Sequence, residues 1–197
     1  MKISKLDLEP TAIDFLTSQG FEKLYEPQAS SVDAGILDGK SVLVSAPTAS
    51  GKTLIAMLSM LSHLPKNKSK IVYLSPLRAL AAEKFTEFKK LEKINLGRKI
   101  KVSISTGDFD SVEDKLENSD ILVLTNEKMD ALMRFSQSWI SEIGLVIVDE
   151  IHLIGDEGRG PTLEMVLTRL KSGIIGKIPQ IVALSATITN SDELAEW

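Results

Sequence analysis

The sequence contains no cysteine. That excludes disulfides and any thiolate-held metal, and it fits a reducing compartment. No apolar run approaches the roughly 20 residues that a bilayer-spanning helix needs. The opening residues, MKISKLDLEP, lack the apolar core of a signal peptide. These absences point to a soluble, cytoplasmic protein with no membrane partner. Internal repeats and low-complexity stretches are also missing. So is any overall excess of positive charge. The net charge is −4, which argues against polyanion binding by the surface as a whole.

What is present suits one globular domain. The chain has 197 residues, enough for a substantial core, with 43% hydrophobic and 25% charged residues. Its charges are unevenly spread. From Lys66 to Lys101 there are eleven Lys and Arg against three Glu, a net of +8. From Val102 to Glu157 there are three against thirteen acids, a net of −10. Such a basic segment is either a set of solvated helix faces or a local polyanion footprint. On charge alone the solvated faces are the simpler account.

Six apolar, β-branched runs read as buried strands: 41–46, 70–75, 100–105, 120–125, 144–149 and 180–186. Helical patterns occupy 9–19, 27–37, 52–63, 78–93, 127–135 and 161–172. Strand–helix alternation of this kind predicts an α/β fold, a mainly parallel sheet with helices on both faces. Ligands of such sheets bind beyond the carboxyl ends of the strands. The last residues, ITNSDELAEW, carry an N-cap at Asn190 or Ser191 and acids suited to a first helical turn. That helix is cut short, so the chain is expected to come from a longer one.

The stretch SAPTASGKTL, at 45–54, follows the first strand and ends as a phosphate loop ends. Backbone N–H groups from Ala49 to Thr53 can converge on an anion at a helix N-terminus. Pro47, Thr48, Ala49, Ser50, Gly51 and Leu54 complete the predicted nucleotide-binding set. Lys52 would reach the β- and γ-phosphates, and the Thr53 hydroxyl would ligate Mg²⁺. Ala46 stands where the usual pattern has its first glycine. It serves if its backbone does not need positive φ. About a hundred residues on, LVIVDEIH (145–152) is an apolar strand ending in two carboxylates. Asp149 is placed to hold Mg²⁺, and Glu150 to orient and deprotonate a water. Together the two segments predict a site for ATP with Mg²⁺.

DEIH resembles the DExH box of superfamily 2 helicases, many of which carry alanine at the first phosphate-loop position. Further segments resemble that family in order. They are LYEPQ (24–28) for the Q motif, SPLRALAAEK (75–84) for motif Ia, TGDFD (106–110) for Ic, TNEKMDAL (125–132) for Ib, GRGPTLE (158–164), and LSAT (184–187) for motif III. The spelling is most similar to the Ski-like (superkiller-like) branch, the archaeal DNA helicases that act at stalled forks. The resemblance covers residues 20–197. It departs at Ala49, where many relatives have glycine, and at Asn126, where serine is expected.

The resemblance implies a RecA-like domain and assigns roles by position. Gln28 would read adenine. Pro76, Arg78, Thr106, Gly107, Thr125 and Lys128 would contact a nucleic-acid backbone, a mode that carries no base sequence and is salt-sensitive. His152, Ser185 and Thr187 would couple the ATP site to motif III. Alone, His152 reads as a hydrogen-bonded loop histidine or a metal ligand, with no second nearby histidine or cysteine to support a metal, and Ser185 and Thr187 read as turn caps. The role of Arg159 does not follow. Family members have two RecA-like domains, the second supplying arginine fingers. Residues 1–197 are thus expected to be one N-terminal RecA-like domain, with 1–20 a possible extension and the second domain absent. The implied partners are single-stranded or forked DNA and that second domain, with the protein a monomer. An RNA helicase of the same superfamily and a self-contained nucleotide switch are the alternatives.

Overall fold

In the computed structural model, the described residues are all except 48–49, 67, 108–115, 136, 175, 189–190 and 197. Six strands form one sheet: β1 (Val42–Ser45), β2 (Lys70–Ser75), β3 (Val102–Ser105), β4 (Ile121–Thr125), β5 (Ile143–Val148) and β6 (Gln180–Ser185). The order across the sheet is β1-β6-β5-β2-β4-β3, and every neighbouring pair is parallel. Each strand lies within two residues of its predicted span.

Successive strand residues point to opposite faces, so the two cores alternate along each strand. Ile71 and Tyr73, Ile121 and Val123, and Leu145 and Ile147 enter one core. Val72 and Leu74, Leu122 and Leu124, and Val146 and Val148 enter the other. Helices α1 (Pro10–Ser18), α2 (Glu26–Asp33), α3 (Lys52–Lys66) and α4 (Arg78–Phe88) cover the first face. Helices α5 (Asn126–Arg134), α6 (Gly160–Lys171) and the short α7 (Ser191–Glu196) cover the second. Central strands buried on both sides must be apolar throughout, which is why β2, β4 and β5 read as continuous hydrophobic runs.

The predicted helix over 78–93 stops earlier. It ends at Phe88 and continues as a 3-10 turn, Lys89–Lys93. With three residues per turn, this brings Leu91 beneath Phe88, and both are fully buried. Residues 1–20 pack on the domain rather than trail from it. Lys2 bridges Lys23, and Ile3, Leu6, Ala12 and Leu16 join the first core. Truncating Leu16 to Ala would cost about 2–5 kcal/mol by the usual cavity rule.

Candidate nucleotide and nucleic-acid sites

Every strand points its carboxyl end at the same rim, and most of the sequence motifs follow those ends. The strand order divides that rim in two. β1, β6 and β5 are neighbours, and their following loops carry the phosphate loop, LSAT and DEIH. β2, β4 and β3 are neighbours, and theirs carry motifs Ia, Ib and Ic.

On the first half, α3 begins at Lys52, directly after Gly51. Gly51 has φ 82°, a left-handed conformation. A Cβ there would also collide with the Gln28 amide. Ala46 is not among the positive-φ residues, so alanine is tolerated. Lys52 Nζ donates to the carbonyls of Ala46 at 2.9 Å and Pro47 at 3.2 Å. Ser50 Oγ is buried with no hydrogen-bond partner among the described residues. Thr48 and Ala49 lie outside the described residues, as do 108–110 of TGDFD and Asn190.

Two expected nucleotide contacts, Leu54 and Gln28, are buried. Leu54 is in the core at 4% exposure, and its N–H is bonded to the Gly51 carbonyl. The side chain follows the inward face of α3. Gln28 is 2% exposed. Its Nε2 donates to the carbonyls of Ser50 and Gly51, each at 3.3 Å, while Oε1 accepts the Tyr25 N–H at 2.8 Å. The amide is engaged at both ends, so Gln28 ties the phosphate loop to α2 in this structure.

The carboxylates follow β5. Asp149 extends the ladder, its N–H donating to the Leu74 carbonyl. Strand alternation puts its side chain on the face of Leu145 and Ile147, where α3 and α4 lie. There Tyr73 donates its hydroxyl to Asp149 Oδ2 at 2.6 Å. Burial, then the Asp149 charge, pushes the Tyr73 phenol well above its usual pKa, so it stays a donor. Asp149 Oδ1 accepts the Glu150 N–H.

Glu150 then breaks the strand at φ 51°. Its Oε2 is buried without a hydrogen bond and lies 3.3 Å from His152 Nδ1. The same Nδ1 shares a 3.3 Å hydrogen bond with Ser185 Oγ at the end of β6. Glu150, His152 and Ser185 are therefore in one chain of contacts. Thr187 is exposed beyond them. Among the described residues no group of three His, Asp or Glu forms a metal cluster.

Sequence reasoning missed Tyr73 and also Lys84. Lys84, on α4, donates to Thr53 Oγ1 at 2.8 Å. Burial pushes its ammonium down, but hydrogen bonds to Glu87 and Glu83 outweigh that and leave the pKa raised. One signal was available for Lys84, a lysine set between acids at 83 and 87 on a half-buried helix.

On the second half, Pro76, Arg78, Thr106, Gly107, Thr125 and Lys128 line a single cavity of 260 Å³. All six expected nucleic-acid residues meet there. Arg159, Leu77 and Glu127 complete the wall. Thr125 also caps α5, accepting the Lys128 N–H at 3.3 Å. Arg159 arrives on a turn built by Asp156, whose Oδ1 accepts the N–H groups of Gly158 and Arg159. Gly160 follows, where a Cβ would strike the Ile154 carbonyl.

A family model described as DEAD/DEAH box helicase matches residues 25–194. Over its whole length the chain is 45% identical to the ATP-dependent DNA helicase Hel308 of Pyrococcus abyssi. It is 46% identical to those of Pyrococcus horikoshii and Thermococcus kodakarensis. The match covers 26%, 26% and 17% of those proteins, so the chain spans about a quarter or less of their length. A solved structure titled as the DUF1998 helicase MrfA superposes with a TM-score of 0.81 at 25% identity, over 96% of this chain and 31% of that one. A match of that extent, on a sheet whose rim gathers both sets of motifs, makes the chain a member of the DEAD/DEAH box helicase family.

Proposed function

We propose that the chain is the first RecA-like motor domain of an ATP-dependent DNA helicase that translocates on single strands, in the repair or restart of stalled forks. The observation that carries this is the divided rim. A phosphate-loop half and a basic groove share one sheet, with Glu150, His152 and Ser185 in contact at the first. The Hel308 relatives are named as DNA helicases, which favours DNA over RNA.

The residues present suit Mg²⁺-ATP. Among the described residues Ser50 Oγ and Glu150 Oε2 are buried polar atoms without a hydrogen bond, a condition that a phosphate and a bound water would relieve. Thr53 and Asp149 would hold Mg²⁺, and the metal would offset charge developing on the phosphates. Lys52 would turn from the loop carbonyls to the β- and γ-phosphates. Glu150 would take the proton from the attacking water. Arg78, Lys128 and Arg159 would hold backbone phosphates. The working protein would be cytoplasmic and would need a second RecA-like domain. An arginine finger is worth about 10³–10⁵ in turnover, so this chain alone is expected to hydrolyse ATP very slowly.

ATP turnover by the 197-residue chain, beside a longer product of its gene, tests the proposal. Each is assayed with single-stranded DNA and with RNA. Turnover confined to the longer protein and stimulated more by DNA supports it. Greater stimulation by RNA moves the substrate class to RNA. Brisk hydrolysis by the short chain alone overturns it in favour of a self-contained switch.

A further inference from the structure

The hydroxyl expected to ligate magnesium already faces a cation. Lys84 Nζ lies 2.8 Å from Thr53 Oγ1, with the Lys84 side chain 13% exposed. Glu83 Oε1 and Glu87 Oε2 flank the same ammonium at 3.1 and 3.0 Å. One turn further along α4, Phe88 meets Tyr73 edge to face, with centroids 5.0 Å apart, and Tyr73 donates to Asp149. Residues four apart share a helix face. A single face of α4 thus reaches Thr53 through Lys84 and Asp149 through Phe88 and Tyr73.

We propose that Lys84 is a positioning residue that competes with Mg²⁺ for the Thr53 hydroxyl, so that metal binding displaces this lysine toward Glu83 and Glu87. The inference rests on the proposed nucleotide site. A hydroxyl oxygen has two lone pairs, and Lys84 engages one. Magnesium binds oxygen at about 2.1 Å, so a metal on the other lone pair would lie within about 5 Å of the ammonium. A unit charge and a divalent charge at that separation repel strongly when partly buried. Glu83 and Glu87 weaken the repulsion and already touch the ammonium, so it can leave Thr53 and keep both acidic partners. Both are more exposed than the lysine, at 59% and 36%. Displacement therefore leaves no buried charge unpaired.

The test is binding of fluorescently labelled ADP to the 197-residue chain during a Mg²⁺ titration. Lys84→Met keeps the length of the side chain and removes its charge. It should lower the magnesium midpoint about fivefold or more, the low end of ordinary site–site coupling. Lys84→Arg should stay near wild type. Glu87→Gln removes a neutralising partner and should raise the midpoint. An unchanged or raised midpoint in Lys84→Met overturns the proposal. If that variant does not fold, an unchanged or lowered midpoint in Glu87→Gln does so instead. Failure of the underlying site looks different. The wild-type chain would then bind no labelled ADP at saturating Mg²⁺, or Lys52→Ala would bind as well as wild type.

Discussion

Glu150 is the one described non-glycine residue with a left-handed backbone, at φ 51°. An L-residue pays roughly 1–2 kcal/mol for that conformation. The twist ends β5 and turns the carboxylate toward His152 instead of continuing the alternation that places Asp149. The proposed role of Glu150 as a base should be separable from binding. Glu150→Gln is expected to keep Mg-nucleotide affinity while single-turnover hydrolysis falls about 10²–10⁴-fold, the usual contribution of a general base. Retained turnover would remove Glu150 from that role. Lys52→Ala should abolish Mg-nucleotide binding by calorimetry, and unchanged affinity would refute the site. Lys52, Asp149 and Glu150 were legible in the sequence because their motifs are short and local. The task of Gln28 was not, because its partners lie 22 and 23 residues away. Tyr73 and Lys84 were hidden for the same reason, with partners 76 and 31 residues distant. Those pairings exist only once β2, β5, α3 and α4 have packed.

At the scale of elements, the basic run from Lys66 to Lys101 shows how charge in sequence can mislead. Lys70 is buried on the carbonyls of Glu117 and Ser119. Lys84 reaches Thr53, Lys89 pairs with Glu92, and Arg98 pairs with Asp120. Of the eleven, Arg78 is the one that lines the groove. The groove's other cations, Lys128 and Arg159, come from the start of α5 and the turn before α6. Three elements distant in sequence meet because β2, β4 and β5 stand side by side. The strands and helices themselves were legible, since hydrophobic period reports burial directly. The convergence of Arg159 was not, because it depends on the turn that Asp156 builds. Arg159→Ala should weaken single-stranded DNA binding and reduce the slope of log affinity against log salt by about 0.7. A slope equal to that of wild type would exclude a phosphate contact.

The whole molecule carries one titration far from the rim. His63 is 8% exposed, and burial lowers its pKa from 6.5 to about 4. Its Nε2 shares a 2.8 Å hydrogen bond with Ser69 Oγ. As pH falls below 6.5 the unfolded chain takes up a proton that the folded one refuses, so stability declines until about pH 4. The shift corresponds to a loss on the order of 3 kcal/mol once complete. Urea unfolding at pH 7 and pH 5 should therefore show a smaller loss for His63→Gln than for wild type. Equal losses would mean that the ring is already protonated in the fold.

The strand order also sets a timetable for synthesis. β2, β4 and β3 come from residues 70–125, so the groove half can pair from one continuous stretch of emerging chain. β1 stands at the sheet edge with β6 as its strand neighbour, and β6 begins at Gln180. Closing so long a loop is entropically slow. The strand that leads into the phosphate loop is translated first and must wait longest for its partner, so a nascent chain can pair β2, β4 and β3 before β1 is seated in the sheet.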